Sequence, residues 1–168
     1  MSLHYIIDGY NVIKQVSFLT GRKLRAGRDG LVHFIECYRP HGSRRNEVTV
    51  VFDGKEDVAN YEEKKSSVRV LFSRNESADD KIKRMVEVSR NPKRMVVVSD
   101  DKAIMFYCRA VGARVKSVKE FLSDSSAGKK PRNAREAFDE EKEALSPEAA
   151  DKITAYLKGI WLKEDNEL

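Results

Sequence analysis

A chain of 168 residues and 19.2 kDa is the size of one domain. Its 40% apolar share suffices for a core, and no apolar run approaches the ~20 residues that cross a bilayer, which argues against a membrane-spanning helix. The net charge of +5 conceals a basic body (28 basic and 17 acidic side chains over residues 1–135) and an acidic tail (4 and 10 over residues 136–168), which suits a polyanionic partner or simply a solvated surface.

Met1–Tyr10 lacks the basic start and long apolar stretch of a secretory signal. Its run His4-Tyr5-Ile6-Ile7 is short, β-rich and ends at Asp8-Gly9, which reads as a buried strand. After a Gly- and Arg-rich connection, Leu31, Phe34, Ile35 and Tyr38 recur at helical spacing, with Pro40 and Gly42 as stops. Val48–Phe52 is a second strand ending at Asp53-Gly54, and Val68–Phe72 a third. Ser77 caps a helix that opens with Asp79 and Asp80 and buries Ile82, Met85 and Val86. Met95–Val98 is a strand running into Asp100-Asp101. The next helix buries Ile104, Met105 and Cys108 and stops at Gly112. Ala113–Val115 is a short fifth strand, and Ser117-Val118-Lys119-Glu120 is a capping box for one more helix. Cys37 and Cys108 show no CxxC spacing, which fits a reduced cytoplasmic interior better than a disulfide framework or a zinc site.

Strands alternating with helices predict a three-layer α/β domain with a mostly parallel sheet over residues 1–124. Residues 125–135 read as a small, polar, basic linker, and residues 136–168 as a helical extension. There Ser146 is a cap, Pro147 the first helical residue, and Ile153, Tyr156, Leu157, Ile160 and Trp161 an apolar stripe expected to pack on the body. The chain holds no internal repeat, P-loop or GxGxxG.

Parallel strands joined by right-handed crossovers present their C-terminal ends on one edge, where such folds bind ligands. Asp8, Asp53 and Asp100 each follow a strand, and Asp79 and Asp80 open a helix after the third strand, so these acids converge by topology. Crowded carboxylates repel and require protonation, basic partners or a cation. Oxygen-only ligands without His or Cys suit Mg²⁺ or Mn²⁺ rather than Zn²⁺. Each acid alone is explained as well by turn chemistry or helix-dipole complementation, Asp53-Gly54 above all. The repetition at one topological position sets the group apart. In Ile7-Asp8-Gly9-Tyr10-Asn11 the glycine lets the backbone turn and come close to a ligand, and Asn11 adds an amide beside the carboxylate.

Asp8-Gly9-Tyr10-Asn11, Val51-Phe52-Asp53, Asn75-Glu76-Ser77-Ala78-Asp79-Asp80 and Val98-Ser99-Asp100 follow one another in order. Through this ordered set, residues 4–122 resemble the YacP-like NYN-domain nucleases of the PIN-like superfamily. The resemblance implies a Rossmann-like PIN fold and endonuclease activity on RNA that depends on Mg²⁺ or Mn²⁺. By position it implies that Asp8, Asp79 and Asp100 bind metal and that Asn11 supports the site or orients a phosphate or water. It makes Asp80 and Asp101 supporting or spare ligands and sets Asp53 at the pocket border.

An acidic pocket repels an RNA backbone, so a basic rim is expected. The candidates are Lys14, Arg22, Lys23, Arg25 and Arg28 after the first strand, and Arg74 ahead of the acidic helix. Lys129, Lys130 and Arg132 in the linker complete the set. Tyr10 could stack on a base or wall the core. His4, His33 and His41 are not clustered in sequence and take no catalytic role. The expected partner is RNA, free or on the ribosome. Two rivals remain at this point: a non-catalytic RNA-binding or ribosome-associated module on the same fold, and a phosphatase with Asp8 as nucleophile. The second wants another acid where Tyr10 stands.

Overall fold

Every residue of Met95–Val98 is buried, and the neighbouring strands hide side chains on both faces, which requires helices on both sides of the sheet. The computed structural model describes residues 2–16, 24–54 and 67–127, with the side chains at 24–25 and 125–127 outside that description. β1 (His4–Asp8) leads into α1 (Gly9–Gln15), α2 (Leu24–Tyr38), β2 (Glu47–Phe52) and β3 (Val68–Phe72). α3 (Ala78–Glu87) then leads through a 3-10 turn at Pro92–Arg94 to β4 (Met95–Val98), α4 (Lys102–Val111), β5 (Arg114–Lys116) and α5 (Val118–Ala127). The strand order is β3-β2-β1-β4-β5, and every pairing is parallel.

Strand alternation divides the core in two. Tyr5, Ile7, Val50, Phe52, Val96 and Val98 pack with Val12 of α1, Leu31 and Ile35 of α2, and Phe121 of α5. On the opposite face Ile6, Val51 and Val97 pack with Ile82 and Val86 of α3 and Ile104 and Cys108 of α4. Each fully buried aliphatic or aromatic side chain stabilises the fold by roughly 1.5–3 kcal/mol. The expected three-layer α/β architecture is therefore present, with a sheet that is parallel throughout the described residues.

Local signals behave as the sequence predicts at several ends. Gly112 takes the left-handed conformation (φ 103°) that closes α4. Ser117 and Glu120 form a reciprocal capping box, with the Ser117 N–H donating to Glu120 at 2.7 Å and the Glu120 N–H to Ser117 Oγ at 3.2 Å. β5 is displaced by one residue from Ala113–Val115, and α5 continues to Ala127, past the expected boundary at residue 124. The C-terminal extension and its apolar stripe lie outside the described residues. Neither Cys37 nor Cys108 is in a disulfide, and burial pushes the Cys108 thiol up to about 11. Among the described residues no helix is long and apolar enough to cross a membrane.

The segment after β1 differs from expectation. Gly9 is not a turn residue; it is the first residue of α1, a seven-residue helix absent from the sequence reading. So short a helix with glycine at its start has little intrinsic stability. It is held by the Asp8 cap and by burial of Val12. Within the fold, Phe52 demands glycine here: a Cβ at position 9 would meet Phe52 Cε1 at 2.3 Å.

Candidate active site

The chain builds β1, β2 and β3 in one direction, then crosses back to lay β4 on the free side of β1. The C-terminal ends of β1 and β4 therefore flank the switch in strand order, where connections diverge and leave a crevice. Asp8 ends β1, and Ser99, Asp100 and Asp101 follow β4 at that point.

Asp8 is both the last residue of its strand and the N-cap of α1, and it is only 8% exposed. Its Oδ1 accepts from the Asn11 N–H at 3.2 Å, and its Oδ2 from the Ser99 hydroxyl at 3.2 Å. Desolvation pushes this carboxyl above its ordinary range. The hydrogen bonds from Asn11 and Ser99 pull it down, Asp79 pushes it up again, and Lys14 opposes that. Asn11 Oδ1 accepts from the Asp100 N–H at 3.2 Å and from the Gln15 amide at 3.4 Å. Ser99, fully buried, also accepts from the Asp101 N–H at 3.1 Å. Asn11 and Ser99 thus lash the first strand and helix to the loop after β4.

Asp79 reaches the crevice from the first turn of α3. Desolvation raises its carboxyl, and Asp101, Asp80 and Asp53 raise it further, with Lys83 as the opposing cation. The acids around it also carry structural duties. Asp101 caps α4, its Oδ1 accepting from Ala103 N–H at 2.8 Å and Ile104 N–H at 3.1 Å. Asp80 belongs to the α3 cap: its N–H donates to Ser77 Oγ at 3.0 Å and its Oδ2 accepts from that hydroxyl at 2.8 Å. Asp53 is exposed in a turn with Gly54 (φ 113°) and accepts from the Ser73 hydroxyl at 2.8 Å. Asp100 accepts from the first amide of α5, Val118, at 2.8 Å and from Gln15. Of this adjacent pair, Asp101 is the acid whose charge bears on Asp79.

None of these six carboxylates forms an ion pair among the described residues. Nor do any three His, Cys, Asp or Glu groups there stand close enough to make a metal cage alone. Mg²⁺ commonly takes one or two protein carboxylates and completes its shell with water and phosphate oxygens. A set of oxygen donors whose charges push one another up, with Lys14 and Lys83 as the opposing cations, fits such an ion.

Of the expected basic rim, Lys14 is exposed on α1, and Arg74 is exposed in a left-handed turn (φ 62°) just before the acidic helix. Arg28 lies over the Phe72 ring at 5.1 Å, with its Nε buried and lacking a hydrogen-bond partner among the described residues. Arg22, Lys23, Lys129, Lys130, Arg132 and the Arg25 side chain lie outside the described residues. Tyr10 packs on Phe52 with ring centroids 5.1 Å apart, so it walls the core.

Comparison with known proteins decides the family, because the model of the YacP-like NYN domain matches residues 5–161. The chain belongs to the YacP-like NYN domain family. This NYN match extends beyond the span of the motifs, through the basic segment and into the C-terminal residues. The solved structure of Rae1 (YacP) from Bacillus subtilis is similar at TM-score 0.61 and 23% identity, covering 98% of this chain and 93% of that one. The structure of a tryptophan-to-leucine mutant of the same Bacillus subtilis protein is similar at TM-score 0.58 and 23% identity, covering 90% and 92%. At that identity the likeness shows the fold. A search of curated proteins returns no match. The NYN domain is a nuclease-like, RNA-related family, which sets the coarse function of the chain.

Two residues of this NYN site escape sequence reasoning. Ser99 sits inside a quoted motif, yet only the structure shows its hydroxyl bridging Asp8 and the Asp101 amide. Gln15 bonds both Asn11 and Asp100, the latter 85 positions further along the chain, and nothing in its local pattern marks it.

Proposed function

We propose that the protein is a ribonuclease that uses Mg²⁺ or Mn²⁺ to hydrolyse RNA phosphodiester bonds internally. The observation that supports this reading is the buried Asp8 carboxylate, which feels the charge of Asp79 at the switch between β1 and β4 and forms no ion pair among the described residues. Asp8 and Asp79, with the acidic pair Asp100 and Asp101, would hold the ion, and Asp80 and Asp53 would add negative charge around it. When bound, such an ion supplies Lewis acidity towards the phosphate and activates water.

The chain's own part is positional. Asn11 and Ser99 fix Asp8 in one orientation, so the carboxylate need not reorganise during reaction. Asn11 also fixes the Asp100 amide, which keeps the loop after β4 in register with α1. Lys14 beside Asp8, and Arg74 at the entry to α3, offer positive charge to an incoming RNA backbone. No side chain needs to bond covalently to the substrate. Two cysteines without a disulfide fit a cytoplasmic location.

The test uses single-stranded, structured and circular RNAs incubated with Mg²⁺, Mn²⁺ or EDTA. Cleavage of the circular RNA is expected with either ion, because a circle offers no end to an exonuclease, and EDTA is expected to abolish it. Cleavage that persists in EDTA removes the metal from the reading. Binding without cleavage in any ion moves the protein to the class of RNA-binding modules.

A further inference from the structure

Away from the acidic crevice, the opposite edge of the sheet carries a cavity of about 590 Å³. It opens between the end of α2, the loop that follows it, and the first residues of β2 and β3. Arg39, Arg44, Arg45 and Arg69 line it, with Glu36 and Glu47 as the lining acids. All four arginines are exposed, and among the described residues none of their guanidinium groups forms an ion pair or a side-chain hydrogen bond. Guanidinium groups left unpaired around one concavity are an anion site in waiting, because each presents a planar fork matched to phosphate oxygens.

Two further observations separate this cavity from an ordinary solvated face. His41 lines it at 7% exposure, and its Nδ1 is buried without a hydrogen-bond partner among the described residues. An unmatched buried polar atom carries a desolvation penalty that a ligand oxygen or its water could relieve. Burial lowers the His41 pKa and the neighbouring Arg39 lowers it further, as expected where positive charge is not neutralised. Arg39 itself is held in the left-handed region (φ 46°) immediately before Pro40, so its backbone is set by the turn and not by preference. The polar lining includes Asn46, whose amide nitrogen donates to the His41 carbonyl at 2.7 Å.

We infer that this arginine-lined cavity is a second phosphate-binding site that holds the RNA backbone at the edge opposite the acidic crevice. Five- and six-residue strands separate the two edges by roughly 17–20 Å. An RNA long enough to pass around the domain would touch both sites, and a very short one only the crevice. The chemistry recognised is the phosphate group, so a free phosphate and an RNA strand are the two sources to distinguish.

The test measures binding of a labelled thirty-nucleotide single-stranded RNA in EDTA, at about 50 and 200 mM salt. The wild type is compared with an Arg44→Gln/Arg45→Gln/Arg69→Gln variant whose thermal melt is recorded in parallel. Binding of the variant is expected to weaken at least tenfold, with a salt slope shallower by about 2, since each phosphate contact on a single strand contributes about 0.7. Cleavage of a tetraribonucleotide in Mg²⁺ is expected to be unchanged. Unaltered RNA affinity and salt slope in a folded variant overturn the inference. Equal loss of tetraribonucleotide cleavage also overturns it, because the two sites would not be separate. Tight binding of inorganic phosphate alone, lost in the variant while RNA affinity stays, replaces the RNA with a free anion. The binding measurement needs no turnover, so it stands or falls apart from the proposed nuclease reaction.

Discussion

Asp8→Asn is expected to abolish RNA cleavage, by about 10³-fold or more, while leaving the protein more stable at neutral pH. The two effects have one cause. Burial and Asp79 raise the Asp8 carboxyl above its unfolded value. A group shifted in that direction favours folding below the ordinary aspartate range of about 3.9 and loses that contribution as pH rises through the folded value. At pH 7 the wild type therefore carries a charge penalty that asparagine lacks. Asparagine can still accept from the Asn11 N–H, so the helix cap survives. In EDTA at pH 7 the variant is expected to melt roughly 3 °C higher, corresponding to about 1 kcal/mol, and to show little difference from the wild type near pH 3. Thermal melts across that pH range check the sign. A variant destabilised at pH 7 but matched to the wild type at pH 3 would contradict it.

Gly9→Ala is expected to have the largest effect on stability. Helix propensity alone would reward alanine by up to about 1 kcal/mol. Packing opposes it: the new methyl would stand 2.3, 2.5 and 2.8 Å from three atoms of the fully buried Phe52 ring. Phe52 is fully buried and packs against the rings of Tyr10 and Phe72, which limits how far it can move aside. Overpacking of this kind costs about 1–3 kcal/mol, and a melting temperature several degrees lower is expected. The Gly9→Ala/Phe52→Leu double variant should recover part of the loss, since the interaction is between neighbours. Wild-type stability in the single variant would show that propensity, not the Phe52 contact, governs this position.

The fold was largely legible because apolar runs and helical spacing mark elements that tertiary packing also buries. Met95–Val98 and the Leu31, Phe34, Ile35 set are cases where pattern and burial agree. The shared edge of Asp8 and the Asp100–Asp101 pair was legible too, since strand direction alone sets it. What was not legible depends on contacts across the chain. α1 is invisible because its seven residues lack a helix signal and gain order from Asp8 and the core. The reason for Gly9 lies in Phe52, forty-three positions away. The different duties of Asp100 and Asp101 follow from the Val118 and Ala103 amides, which no local pattern reveals. The basic cavity joins arginines from residues 39 to 69, each of which alone resembles a solvated side chain.

The central claim is that carboxylates from β1, α3 and the loop after β4 form one divalent-ion site. Titration of Mn²⁺ into the protein, followed by electron paramagnetic resonance of the free ion, tests it without RNA or turnover. The wild type is expected to bind Mn²⁺, with affinity falling at least tenfold in both Asp8→Asn and Asp79→Asn. Binding curves that coincide for all three folded proteins would contradict the account.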